Sequence, residues 1–185
     1  VVVTTVMILL AGIGRSQTIH SVPGTYATIQ LAMAAALSGD IVEVAPGTYH
    51  ERIDFLGKSI TVRSTAGAAQ TTLDADLTGP AVTFKTAEST TSVLDGFTII
   101  DGQGISISSL LGPFALPRAP GGIRIENASP LVRRCVLTNN FGSTGISATG
   151  GFASPLMTIG GAGAIGVEGG APVFEECVIH GNQGG

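Results

Sequence analysis

Residues 129–140 read SPLVRRCVLTNN, and 42 positions later residues 171–182 read APVFEECVIHGN. Aligning 121–140 with 163–182 gives identity at Gly121, Ile123, Glu126, Pro130, Cys135, Val136 and Asn140, while most other positions stay apolar or small. Such a unit holds several very short strands separated by corners and has no partner within itself for its apolar face. Stacked copies supply that partner, so the repeat points to the coils of a solenoid. A more diverged copy, SVLDGFTIIDG, spans 92–102 and puts Phe97 where the cysteines fall. Residues 141–162, FGSTGISATGGFASPLMTIGGA, read as a long loop because their glycines lack alternation. The other reading, a degenerate intervening coil, stays open on sequence alone.

Upstream, the hydrophobic period changes once. Thr28 fits a helix N-cap, and Ile29, Ala32, Met33 and Ala36 follow at i, i+3, i+4 and i+7, which predicts a helix over about 28–37 with Gly39 as its stop. From Asp40 the period becomes two. IVEVA, KSITVRS, TTLDA, AVTF, SVLDGFTII, GGIRIEN, PLVRRCVLTN, GAIGVEG and PVFEECVIHGN are short alternating runs bounded by glycine and other turn residues. Helices do not alternate with them, so a doubly wound α/β domain is excluded and the class is all-β.

Composition narrows the partners. Charged residues make up 12% of the chain, with 27 glycines and a net charge of −4. No Lys/Arg cluster is present to neutralise a phosphate backbone, which argues against nucleic acid. The opening VVVTTVMILLAGIG is too short to span a bilayer. It ends at small residues, and residues 1–16 read as the remnant of a secretory signal, which leaves no membrane span in the mature protein. The expected location is therefore secreted or cell surface. Residues 17–185 form the remaining domain. It stops at GNQGG, where another GGI-type coil is due, so the sequence reads as C-terminally truncated.

The stretch ATIQLAMAAALSGDIVEVAPGTYHERIDFLGKSITV, residues 27–62, resembles the N-terminal cap and first coil of secreted proteins of the pectin-lyase-like superfamily. The later GGI…SP…C…N coils resemble the parallel β-helix repeats of the same group, and the resemblance covers about residues 18–185. It implies a right-handed parallel β-helix with an N-terminal capping α-helix. Gly47 and Tyr49 of PGTY are then expected at the first corner, with Glu51 bonding locally there or, alternatively, catalytic.

In such a fold Phe97, Cys135, Cys177, Ile99, Leu137 and Ile179 point inward, and the cysteines serve as small buried residues without a disulfide. No second Cys or His accompanies either thiol as a metal ligand. Asn140 and Asn182 occupy equivalent corners, where asparagine tolerates left-handed backbone and can bond along a stack. Arg133 and Arg134 are expected outward, over Glu175 and Glu176 of the next coil. His20, His50 and His180 are far apart in sequence, and Asp74, Asp76, Asp95 and Asp101 read as turn residues rather than as a calcium set. No cofactor and no metal ligand is assigned, and glycine runs such as GQG at 102–104 do not open helices, which makes them poor phosphate loops. Asn127-Ala128-Ser129 is a glycosylation sequon in form.

Several enzymes of the superfamily act on acidic polysaccharides. Their Asn-Thr-Asp, Asp-Asp and Gly-His-Gly signatures are absent here, as is the esterases' glycine-rich Asp-Phe segment. Catalytic residues thus remain unknown. The expected function is that of an extracytoplasmic β-helix protein, polysaccharide-associated or structural, without catalysis. Arg124, Glu126, Arg133 and Arg134 are the candidate binding groups, with an extracellular polysaccharide as the partner. The alternative is a fragment of a pectin-lyase-fold polysaccharide lyase or esterase.

Overall fold

Strands of two to four residues cannot stand alone, and here each finds its partners a whole circuit of the chain away. The computed structural model describes residues 16–104, 120–142 and 163–184. Numbered in chain order, the first sheet holds β1 (Ile19–Val22), β2 (Ile41–Val44), β5 (Thr61–Ser64), β8 (Val93–Asp95), β11 (Leu131–Arg133) and β14 (Val173–Glu175). The second holds β3 (Gly47–His50), β6 (Thr71–Asp74), β9 (Thr98–Ile100), β12 (Val136–Leu137) and β15 (Val178–Ile179). The third holds β4 (Ile53–Asp54), β7 (Val82–Phe84), β10 (Ile123–Glu126) and β13 (Ile165–Glu168). Every pairing is parallel, and from β2 onward each strand pairs with the one three places later. The chain is therefore mostly β, three parallel sheets visited in rotation with one short helix, an arrangement compatible with a parallel β-helix.

The repeat corresponds to one circuit. Val136 pairs with Val178 and Leu137 with Ile179, so the two repeat copies are neighbours with no circuit between them. A degenerate coil stacked between them is thereby excluded, and residues 143–162, on which the loop reading falls, lie outside the described residues. So do residues 1–15, which carry the expected leader.

Alternation of side chains along each strand sends every second residue inward. Val42, Val62, Leu94, Val132 and Phe174 form one in-register row, and Leu73, Ile99, Leu137 and Ile179 another. The third sheet contributes Ile53, Val82 and Ile123, with Phe84, Ile125 and Val167 beside them. Phe55 stacks on Phe84 at 4.3 Å between ring centroids. Phe97 and Cys135 fill the same corner one circuit apart, both buried, and the interior is solid with side chains. Repeat glycines 121 and 163 are needed for close approach rather than flexibility. A Cβ on Gly121 would lie 2.3 Å from Gly102 O, and one on Gly163 would lie 2.4 Å from Asn140 O.

The helix α1 spans Ile29–Ala35 and buries Ile29, Ala32 and Met33 against β1, β2 and β4. Thr28 caps it, its side chain accepting from Leu31 N–H at 3.2 Å. Both helix ends are held by charges from the first circuit. Glu51 accepts from Ile29 N–H at 2.8 Å and Gln30 N–H at 3.0 Å. Lys58 Nζ donates to Met33, Ala34 and Ala36 carbonyls at 2.8, 2.6 and 2.9 Å. An anion at the amino end and a cation at the carboxyl end both oppose the helix dipole.

Three sequence expectations need correction. The helix ends at Ala36, which turns extended (ψ 146°), and Gly39 instead uses its positive φ to donate to Ser59 O. GTYH is a strand rather than a corner, because its four residues pair in register with β6. The left-handed corner residues are Asp101, Asn139 and Gly181, each one place before the Gly102, Asn140 and Asn182 stack. The backbone turns at the first set, which frees the Asn140 and Asn182 side chains to bond to neighbouring circuits.

Candidate functional site

The third residue of each strand in the first sheet faces outward, and register sets these residues in one line. The line reads Glu43, Arg63, Asp95, Arg133, Glu175, a charge alternation over five successive circuits. Arg63 Nη2 lies 2.5 Å from Glu43 Oε1. Arg133 Nη2 lies 2.9 Å from Asp95 Oδ2, and Arg134 Nε donates to Asp95 Oδ1 at 2.9 Å. Cross-strand neighbours of opposite charge attract and like charges repel, so a ladder of this kind fixes register. The exchange of two arginines for two glutamates between repeat copies continues the alternation. Arg133 is in register with Glu175 as expected, but the ion pairs of both arginines run back to Asp95. Asp95 is 3% exposed and faces two guanidinium groups, whereas Glu175 and Glu176 are exposed to water. Beside the ladder runs a half-buried apolar row of Val93, Leu131 and Val173, preceded by Thr61 and by Ile41, which is buried.

Arg124 and Glu126 lie two residues apart on β10 in the third sheet and pair with each other. They are thus on a different sheet from Arg133, and the four candidate groups fall into two separate sets, Arg124 with Glu126, and Arg133 with Arg134 on their shared partner Asp95. Asp54 of the same sheet pairs with Lys85 at 2.6 Å.

On the outer face of the second sheet, His50 stands in register with Asp74 on the next circuit. Its Nδ1 lies 2.9 Å from Asp76 Oδ1 and 3.5 Å from Asp74 Oδ2. The hydrogen bond to Asp76, with the negative charges of both carboxylates, raises the His50 pKa above its ordinary value. Asp74 spends Oδ1 on the backbone N–H of Asp76 at 2.9 Å, which holds the following left-handed residues Asp76 and Leu77. Tyr49 beside it donates to Ala45 O at 2.9 Å, and burial, then Glu51, pushes its pKa up. Sequence reasoning took the two aspartates as turn residues, which Asp76 is, whereas Asp74 closes β6 and accepts from the turn behind it, and missed the histidine that meets them.

No family model, curated protein or solved structure matches the chain.

The other candidates serve the scaffold. Asn140 is fully buried, accepts from Gly102 N–H at 3.0 Å and donates to Ile99 O, Thr138 O and Asn182 Oδ1 at 2.9, 3.0 and 2.9 Å. Asn182 repeats this one circuit later, donating to Leu137 O at 2.8 Å. Glu51, considered as an acid–base residue, is committed to the helix end. Both cysteines are free thiols, Cys135 buried and Cys177 half-buried. A hydrogen bond between them raises the Cys135 pKa, with burial adding to it, and lowers that of Cys177. His20 is buried at the head of the inward row, in register with Val42, with Nε2 3.0 Å from Asp40 Oδ2 and Nδ1 3.2 Å from the Tyr26 hydroxyl. Asp40 also accepts from Thr18 and Leu37 backbone N–H groups, so this network joins β1 to the helix exit. His180 is exposed, as expected, with Nδ1 3.4 Å from Thr138 Oγ1. Among the described residues no helix is long and apolar enough to cross a membrane.

Proposed function

We propose that the chain is an extracytoplasmic right-handed parallel β-helix, with α1 as its N-terminal cap, that binds polysaccharide on an outer sheet face without transforming it. The observation that carries this reading is the outer face of the first sheet. There an apolar row and an ionic row run side by side over successive circuits, above an interior filled by side chains. A long flat face suits an extended polymer, whose rings lie on the apolar row and whose hydroxyl or carboxyl groups meet the ionic row. Arg134, half exposed beside Asp95, retains N–H donors for such a polymer. The leader-like opening and the resemblance of residues 27–62 to secreted proteins support export.

The second reading, a piece of a polysaccharide lyase or esterase, draws on the convergence of His50, Asp74 and Asp76, which brings an imidazole and two carboxylates together on an exposed surface. One experiment separates the two. Purified protein is incubated with neutral and acidic polysaccharides, with retention and product formation followed together. Retention without unsaturated or de-esterified product supports the binding reading. Turnover abolished by Asp74→Asn or His50→Ala overturns it in favour of the enzyme, and retention on no polysaccharide leaves a purely structural role.

A further inference from the structure

Opposite-charge partners account for most ionic groups of the outer faces. Glu43 has Arg63, Asp54 has Lys85, Asp95 has two arginines and Glu126 has Arg124. Glu175 and Glu176 are exposed to water instead, and Asp74 and Asp76 converge on an imidazole. Among the described residues the sole cationic side chain within ion-pair distance of either is His50. With a neutral imidazole the trio carries two negative charges. Protonating His50 compensates one of them.

The donor atoms of the three side chains lie within 4.8 Å of one another. Ligands about 2.0–2.2 Å from a first-row divalent metal stand roughly 3.0–3.6 Å apart along the edges of an octahedron or tetrahedron. Of the two separations from His50 Nδ1, 3.5 Å falls in this range and 2.9 Å just short of it. Two of the ligands stand on paired strands, which fixes their spacing, and the third follows two residues on. The carboxylate of Asp74 has one oxygen tied to backbone N–H and the other turned toward the imidazole.

We propose that His50, Asp74 and Asp76 form a binding site for a first-row divalent transition-metal cation of the zinc class. Two carboxylates and a neutral imidazole match a divalent charge, and the cation replaces the proton that would otherwise sit on Nδ1. One nitrogen and two carboxylate oxygens suit zinc, nickel, cobalt or manganese. Calcium is disfavoured because it needs six to eight oxygen ligands and gains little from an imidazole. The site is open to solvent, so water completes the coordination. It stands apart from the carbohydrate reading, which uses a different sheet.

The test uses the untagged full chain, freed of metal with a chelator. Isothermal titration with zinc chloride is compared with calcium chloride, for wild type and for His50→Ala, Asp76→Asn and the control His180→Ala. Far-UV circular dichroism checks the fold of each variant, and cobalt(II) absorption gives a readout of coordination independent of affinity. One zinc ion per chain is expected, bound at least about tenfold more weakly by His50→Ala and Asp76→Asn, unchanged by His180→Ala, and preferred over calcium. The cobalt spectrum should change with His50→Ala. Asp76→Asn keeps side-chain shape and tolerates the left-handed backbone, so it remains informative if the histidine variant is unstable. Absence of zinc binding by wild type, zinc binding indifferent to both substitutions, or calcium binding as tight as zinc would each overturn the proposal.

Discussion

Lys58→Met removes a charge while keeping most of the aliphatic stem. In the native protein Nζ donates to three carbonyls in the last turn of α1, at 2.6–2.9 Å. Hydrogen bonds to a charged group contribute about 1.5–3 kcal/mol each when measured singly, but three that share one ammonium do not add. A cation at a helix carboxyl end contributes about 0.3–2 kcal/mol depending on burial. The carbonyls lose their partner on substitution, and α1, only seven residues long, has no intrinsic stability to offset that. A loss of about 2–4 kcal/mol follows, or a fall in melting temperature of roughly 5–15 °C for a chain of this size. Calorimetry measures the total. Hydrogen exchange locates it, since residues 29–36 should lose protection before the sheets do. Glu51→Gln should act on the other helix end in the same sense but more weakly, because the amide still offers one acceptor oxygen. A change below about 0.5 kcal/mol for Lys58→Met, the range of an ordinary surface substitution, would refute the claim that this lysine fastens the helix to the first circuit.

Asn140→Ala should cost about 1–3 kcal/mol, because it strands Gly102 N–H in the interior, while Ile99 O keeps Thr138 N–H and Asn182 Oδ1 keeps the residue 140 backbone N–H; urea denaturation measures it, and a cost under about 0.5 kcal/mol contradicts the ladder. Native protein treated with iodoacetamide should be alkylated at Cys177 and spared at Cys135, which is fully buried with its pKa raised; mass spectrometry reads the two sites, and equal labelling would count against the packing of that corner. Because the folded His50 pKa is raised, its contribution to stability should be full below pH 6.5 and disappear as pH rises through the folded value. In chelated buffer, the difference in melting temperature between wild type and His50→Asn should shrink over that rise, and a difference that grows would reverse the assignment.

The stacking was legible where the repeat is long and even. Cys135 and Cys177, Asn140 and Asn182, and the buried helix face at Ile29, Ala32 and Met33 all followed from period and alignment. What escaped was register between circuits of unequal length. His50 pairs with Asp74 after 24 residues, while Val136 pairs with Val178 after 42. The even repeat at the end of the chain therefore gives no ruler for its beginning. Asp95 escaped for another reason: aligning Phe97 with Cys135 already sets it beside Arg133, but the charge pairing was read only forward, toward Glu175. GTYH escaped for a local reason: Pro46-Gly47 is a turn signal, yet the chain turns ahead of Gly47 and pairs from that residue on.

The binding claim depends on a face rather than a pocket, and the dependence of affinity on ligand length distinguishes these directly. The six strands of the first sheet span about 24 Å at about 4.8 Å per strand. For the polysaccharide best retained by the protein, oligomers of increasing length are titrated against wild type and Arg134→Ala. Affinity should rise with each added sugar until the oligomer covers that face and then level off, with the arginine variant weaker at every length. Affinity already complete with a mono- or disaccharide, or indifferent to length and to Arg134, would contradict the account.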